Sequence, residues 1–171
     1  HDHYRFGPWR AKFEGFLAEG KLDGRKAFLL KPMTYMNESG VSVGAALRFF
    51  KLGAGDLVVI HDEIDLAAGK LKVKQGGGDA GHNGLRSITA AIGPDYRRVR
   101  VGVGHPGDKS RVHGHVLAAF AKEDAAWLVP LVGAMVEAAP LLAKDDDAGF
   151  ATKIALILKP PTKKPKPEED E

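Results

Sequence analysis

Between Lys70 and Val103 the chain changes its hydrophobic period twice, and that change limits the fold more than any other feature. Lys70, Lys72 and Lys74 alternate with Leu71 and Val73, while Arg98 and Arg100 alternate with Val99, Val101 and Val103. A period of two sends successive side chains to opposite faces, so each run predicts a strand carrying its bases on one side. Between them, Asn83 to Ile92 has helical spacing and stops at Gly93. Strands alternating with helices predict an α/β chain built on a mixed sheet. Like charges stacked on one strand face repel, which implies solvated edge strands or a polyanionic partner.

The other segments extend this pattern. Asp23-Gly24 marks a hairpin turn leading into a strand at Ala27 to Leu30. Ser39 is placed to cap a helix running to about Leu52 and closed by Gly53, with Val43, Leu47 and Phe50 at helical spacing. Leu57 to Ile60 reads as a central strand covered on both faces. Tyr96 to Val103 is the strand that holds the arginines. A helical region from Lys122 to Lys144 contains Pro130 and Pro140, which are expected to kink or divide it. Asp147 to Leu158 predicts a last helix with Phe150, Ile154 and Ile157 on one face. The final stretch, 159–171, holds prolines, lysines and acids with nothing apolar to bury, so the domain is expected to span 1–158 and a disordered tail 159–171.

The 171 residues are 44% hydrophobic, enough for the core of one domain. There is no cysteine, which removes disulfides and thiol chemistry and suits the cytoplasm. No apolar run approaches the roughly 18 residues that span a bilayer, and the opening HDHYRFGPWR has no signal-like apolar core. Net charge is only +3, from 25 basic and 22 acidic residues.

Candidate chemistry gathers around the glycine-rich stretch QGGGDAGHNGLRS at 75 to 87. Clustered glycines indicate positive φ or a group that must approach the backbone closely; alternatively, this is a surface loop ending in an Asn83 helix cap. HDEID at 61 to 65 ends a strand, where ligands of α/β sheets collect. Its carboxylates suit either a hard metal, the orientation of a general-base histidine, or simple turn capping. GVGHPG at 102 to 107 has dinucleotide-loop spacing, but Pro106 and the polar continuation argue against a helix opening there. His113 and His115 stand two apart, as strand-borne metal ligands would, yet read as surface histidines. Asn37 precedes the first long helix as Asn83 precedes a later one; an amide can cap a helix or hold both a carbonyl and a water. No G-x-S-x-G element is present.

Three long motifs, KPMTYMNESG, HDEIDLAAGKLKVKQGGGDAGHNGLRSI and YRRVRVGVGHPGDKSRVHGHVL, closely resemble bacterial peptidyl-tRNA hydrolase from about Lys12 to Leu158. The resemblance implies a single α/β domain whose mixed, twisted sheet is surrounded by helices. It implies hydrolysis of the ester joining peptide to tRNA by a cytoplasmic monomer, with peptidyl-tRNA as partner, no membrane, no metal and no cofactor. Carried across, Asn37 binds substrate with Tyr35 as the wall of the peptide groove. Asp62 orients the catalytic histidine, His82 and Asn83 form the loop pair at the reacting ester, and Lys72 with Arg100 clamps the tRNA 5′-phosphate.

The family's opening strand with its Asn-Pro-Gly turn, and the Arg-His-Asn segment that supplies the general base, have no counterpart in the sequence. The expectation is an N-terminally truncated chain without its base. Asp62 would then have no histidine to orient, a sheet edge would be exposed, and turnover would be absent. The alternative reading is a non-catalytic RNA-binding relative; the retained Asn37, Asp62 and Asn83 favour the esterase.

Overall fold

The computed structural model describes residues 1–159, so nearly all of the expected tail lies outside the described residues. Strands β1 (Arg10–Lys12), β2 (Gly15–Leu22) and β3 (Arg25–Pro32) form an antiparallel sheet with β2 at its centre. The hairpin closes with Leu22 opposite Arg25, and Asp23 and Gly24 take φ of 49° and 77°. Two consecutive positive φ values are what a two-residue hairpin of natural twist requires.

A second sheet is ordered β4 (Val58–Glu63), β6 (Arg97–Gly102), β5 (Leu71–Gln75), with β6 parallel to β4 and antiparallel to β5. The α/β class and mixed pairing hold, with the strands divided between two three-stranded sheets. Five α-helices complete the described chain: α1 (Ser39–Phe50), α2 (Asn83–Ile92), α3 (Lys109–Leu117), α4 (Ala125–Ala143) and α5 (Asp147–Leu158).

Val58 and Val59 point to opposite sides of β4 and join different cores. Val58 packs with Val99, Leu131, Ala134, Phe150 and Ile154, which places α4 and α5 on that face. Val59 packs with Val43, Leu47, Leu85, Ile88 and Tyr96, which places α1 and α2 on the other. The two helices of that pair approach closely because Gly40 has no side chain: a Cβ there would lie 2.1 Å from the Ser87 carbonyl oxygen. Gly40 N–H instead donates to Ser87 Oγ at 2.8 Å.

Several local expectations change. The burial expected for Leu57 to Ile60 fails at Ile60, which is 58% exposed on the strand at the open edge of its sheet. Helix α1 stops at Phe50, before Gly53, because Lys51 enters the left-handed region and bonds back to Leu47 and Arg48 carbonyls. Ser39 is not its cap; its hydroxyl donates to the Met36 carbonyl at 2.8 Å. Helix α4 runs unbroken through Pro130 and Pro140. Pro140 has no N–H for the Val136 carbonyl, and that oxygen accepts instead from Tyr4 Oη at 2.6 Å.

The segment Lys122–Ala143 is long and apolar enough to cross a membrane by length and composition, contrary to the impression of its interrupted sequence. Leu131, Ala134, Ala138 and Leu142 are buried against β6 and α5, although most of the helix is not.

Candidate active site

The face of the second sheet that looks toward α1 and α2 is where polar side chains accumulate. Register places Lys72 opposite Arg100 and Lys74 opposite Arg98, so the two runs of bases, each one-sided by alternation, share one face. His61 lies beside Arg100 in the parallel register and belongs to the same side.

These bases are far from equivalent. Arg98 is 2% exposed and donates to the carbonyls of Gly77 and Gly78 at 2.8 and 2.6 Å, with its guanidinium 4.5 Å from the Tyr96 ring centre. It is therefore an anchor for the glycine loop, a role that alternation alone cannot reveal. Arg97 turns the other way and pairs with Asp145 and Asp147. Arg100 Nε is 3.0 Å from Glu63 Oε2, a pair set mostly away from solvent. Lys74, Arg98, Arg100, His61 and Glu63 line a cavity of about 310 Å³. Lys72 is exposed one step along β5 and is not part of that lining, whereas Lys74 is.

The loop itself uses positive φ at Gly76, Gly77, Ala80 and Gly81. Gly77, at φ 102°, also lies under the Lys74 side chain, where a Cβ would meet Nζ at 2.6 Å. The loop delivers His82 to the start of α2. His82, and not Asn83, is the helix cap: its Nδ1 accepts from Gly84 N–H at 3.1 Å and Leu85 N–H at 3.2 Å. Accepting at Nδ1 needs a lone pair there, which assigns the proton to Nε2. Nε2 then donates to Asp62 Oδ1 at 3.0 Å.

The expectation that Asp62 has no histidine to hold is thus corrected: it holds His82. That bond is the largest of the influences that keep the Asp62 carboxyl below its usual range. Both ring nitrogens of His82 are engaged, so taking a proton at Nδ1 would cost the helix its cap.

His61 supports this pair from below. Its Nδ1 is 2.7 Å from the Asp62 carbonyl, and its ring meets the His82 ring edge-on at 5.2 Å between centres. Burial lowers its pKa below the ordinary histidine value. His61 Nε2 is buried without a hydrogen-bond partner among the described residues.

Asp62, His82 and Asn83 line a second opening of about 380 Å³, next to the first and sharing Glu63 and Ala80 with it. Met36 forms one wall; Val112, His113, Val116 and Leu117 of α3 form another. Asn83 is exposed, and its Oδ1 has only a long 3.5 Å contact with Arg86. Tyr35 is 82% exposed, and Asn37 is also exposed; neither lines the opening, although Met36 between them does.

The GVGHPG stretch is a turn in which Gly104 and Gly107 take positive φ, and helix α3 does open just after it. Asp108 supplies the cap that the sequence reading missed, accepting from Ser110 N–H at 2.8 Å. His113 and His115 therefore stand on a helix and not on a strand. His115 Nε2 lies 3.1 and 3.0 Å from the carbonyls of Val103 and Gly104, while His113 faces the groove. Among the described residues no three acidic or histidine side chains are grouped to hold a metal ion. Of the three HDEID carboxylates considered for that role, Asp62 and Glu63 are taken by His82 and Arg100.

The family model for peptidyl-tRNA hydrolase matches residues 2–164. The peptidyl-tRNA hydrolase of Parvibaculum lavamentivorans is 57% identical over 168 residues, covering 97% of this chain and 82% of that protein. The corresponding protein of Granulibacter bethesdensis is 60% identical over 153 residues, covering 89% of this chain and 79% of its own length. Among solved structures, the peptidyl-tRNA hydrolase of Acinetobacter baumannii superposes with a TM-score of 0.84 at 35% identity, covering 90% of this chain and 79% of that one.

Proposed function

The chain belongs to the peptidyl-tRNA hydrolase family and hydrolyses the ester between peptide and tRNA, and on that premise we propose that the groove beside Asp62, His82 and Asn83 receives the ester. The observation that carries this reading is the adjacency of two unlike openings. One is lined by Lys74, Arg98 and Arg100, the other by Asn83, Asp62 and an apolar wall. A substrate with a phosphate at one end and a peptide ester at the other calls for that pairing.

In this reading Lys74 and Arg100 take the tRNA 5′-phosphate, with Lys72 adding to the field of the same face. Glu63 holds Arg100 in place until the phosphate competes for it. Arg98 acts indirectly, by holding Gly77 and Gly78 and so the approach to His82 and Asn83. The Asn83 amide donates to the ester oxygen as negative charge develops on it, or steadies the attacking water. Asp62, bound to His82, lines the same opening. Asn37 and Tyr35 extend the substrate contact beyond Met36. The peptide runs over Met36 and the apolar residues of α3. We propose further that the enzyme works as a monomer in the cytoplasm, where translation produces its substrate.

The test is turnover of peptidyl-tRNA by the full open reading frame that contains these residues. Asn83→Ala is expected to lower kcat by roughly 10² to 10³, as for loss of one oxyanion donor, with little change in tRNA affinity. Unchanged turnover would remove the groove from the reaction.

A further inference from the structure

Helix α3 is amphipathic in an unusual direction. Lys109, Val112, His113, Val116 and Leu117 follow one another at spacings of three, one, three and one, which gathers them on one helix face. All five line the groove. No side chain of α3 is buried, so this face is not spent on the core. Its start is capped by Asp108, and His115 ties the helix to the Val103 and Gly104 carbonyls.

The charges around the groove are also unevenly matched. Its carboxylates already have partners: Asp62 has His82, Glu63 has Arg100 and the Asp65 N–H, and Asp79 accepts from Thr89 Oγ1 at 3.1 Å. Lys109 and His113 take part in no hydrogen bond or ion pair among the described residues that would satisfy them. They stand one helical turn apart on a wall otherwise made of valine and leucine. An apolar wall whose only uncommitted polar groups are basic is complementary to a substrate bearing an anion within an apolar stretch.

We propose that His113 and Lys109 form an anion-binding pair that sets substrate affinity in the groove. It rests on the reading of the groove as the site of the ester. The anion has two sources in the substrate: a phosphodiester near the tRNA 3′ end, or an acidic side chain of the peptide.

Steady-state kinetics of the full open reading frame on two substrates separates them, one carrying acetyl-diglycine and the other acetyl-aspartyl-glycine on the same tRNA. His113→Gln and Lys109→Ala are each expected to raise KM about threefold to tenfold with kcat unchanged, and His113→Arg to keep KM at or below the starting value. A rise on both substrates assigns the phosphodiester; a rise confined to the aspartyl substrate assigns the peptide carboxylate. KM within twofold of the parent for both His113→Gln and Lys109→Ala on both substrates overturns the pair. Because α3 buries nothing, these variants are expected to unfold at the parent temperature. Asn83→Ala is measured beside them. If it lowers kcat while the α3 variants leave KM alone, the pair fails and the groove reading stands; if it has no effect on kcat, both fall.

Discussion

Arg98, in the floor beneath the glycine loop, is 2% exposed and gives both terminal nitrogens to loop carbonyls, whereas α3 across the groove buries none of its nine residues. The floor is a chain of hydrogen-bonded side chains: Arg98 holds the loop, His82 caps α2 and binds Asp62, and His61 bonds to the Asp62 carbonyl, while His61 Nε2 and Arg98 Nε stay buried without a partner among the described residues. The opposite wall hangs from a cap and one histidine. Low-dielectric surroundings make an unpaired group in the floor costly, so the floor holds one geometry. The wall pays little for moving. Chemistry that needs fixed donors belongs on the first, and adaptation to peptides of varied sequence belongs on the second.

The largest break in this contrast comes from Arg98→Ala. It leaves the Gly77 and Gly78 carbonyls without their donor and opens space under the loop. The expected loss is about 3 kcal/mol, read as the change in urea midpoint at constant m-value. A substitution on exposed α3, such as Val116→Ala, should shift the midpoint by less than about 0.5 kcal/mol. Equal losses at the two sites would erase the distinction.

The salt dependence of tRNA binding sharpens the assignment within the floor. Lys74→Ala is expected to reduce the slope of log K against log salt by about one, and Lys72→Ala by less, since only Lys74 lines the cavity. The reverse ranking, measured by filter binding across a salt series, would return the phosphate to Lys72.

These two predictions mark where sequence pattern stops. Alternation showed that each strand carries its bases on one side, because period two fixes sidedness; that the two strands share a face came only with their register. It could not separate Arg98, buried under a loop, from Lys72 in water, because both satisfy the same pattern. The hairpin was legible because Asp23-Gly24 leaves the backbone few options, and α2 was legible because its spacing ends at a glycine. The His82 cap was not, since an imidazole lies outside the usual Ser, Thr, Asp and Asn preference. The Asp62–His82 bond joins residues 20 apart in the chain and depends on the loop's fold. Pro140 misled because the hydroxyl that compensates for it, on Tyr4, is 132 residues from the Val136 carbonyl it satisfies.

Acid separates the two regions more gently. His61 is buried and its pKa is lowered, chiefly by burial, so the unfolded chain takes up a proton below the ordinary value of 6.5 before the folded one does. Stability is expected to fall as pH drops through that range, as the unfolded state binds more protons. Asp62, also lowered, adds a further loss only below about its ordinary 3.8, as its carboxylate is protonated and the His82 bond weakens. His61→Gln should flatten the first part of a thermal-melt series between pH 7 and 5, leaving the second in place. An unchanged slope would mean that another group controls it.

The direct test of a fixed floor beneath a loosely held wall is amide hydrogen exchange, read segment by segment on the free protein near neutral pH. Residues of β6 and α2 are expected to exchange with nearly the free energy of global unfolding, and α3 orders of magnitude faster through local opening. Protection of α3 equal to that of β6 would contradict the account, since it would show the wall to be as firmly built as the floor.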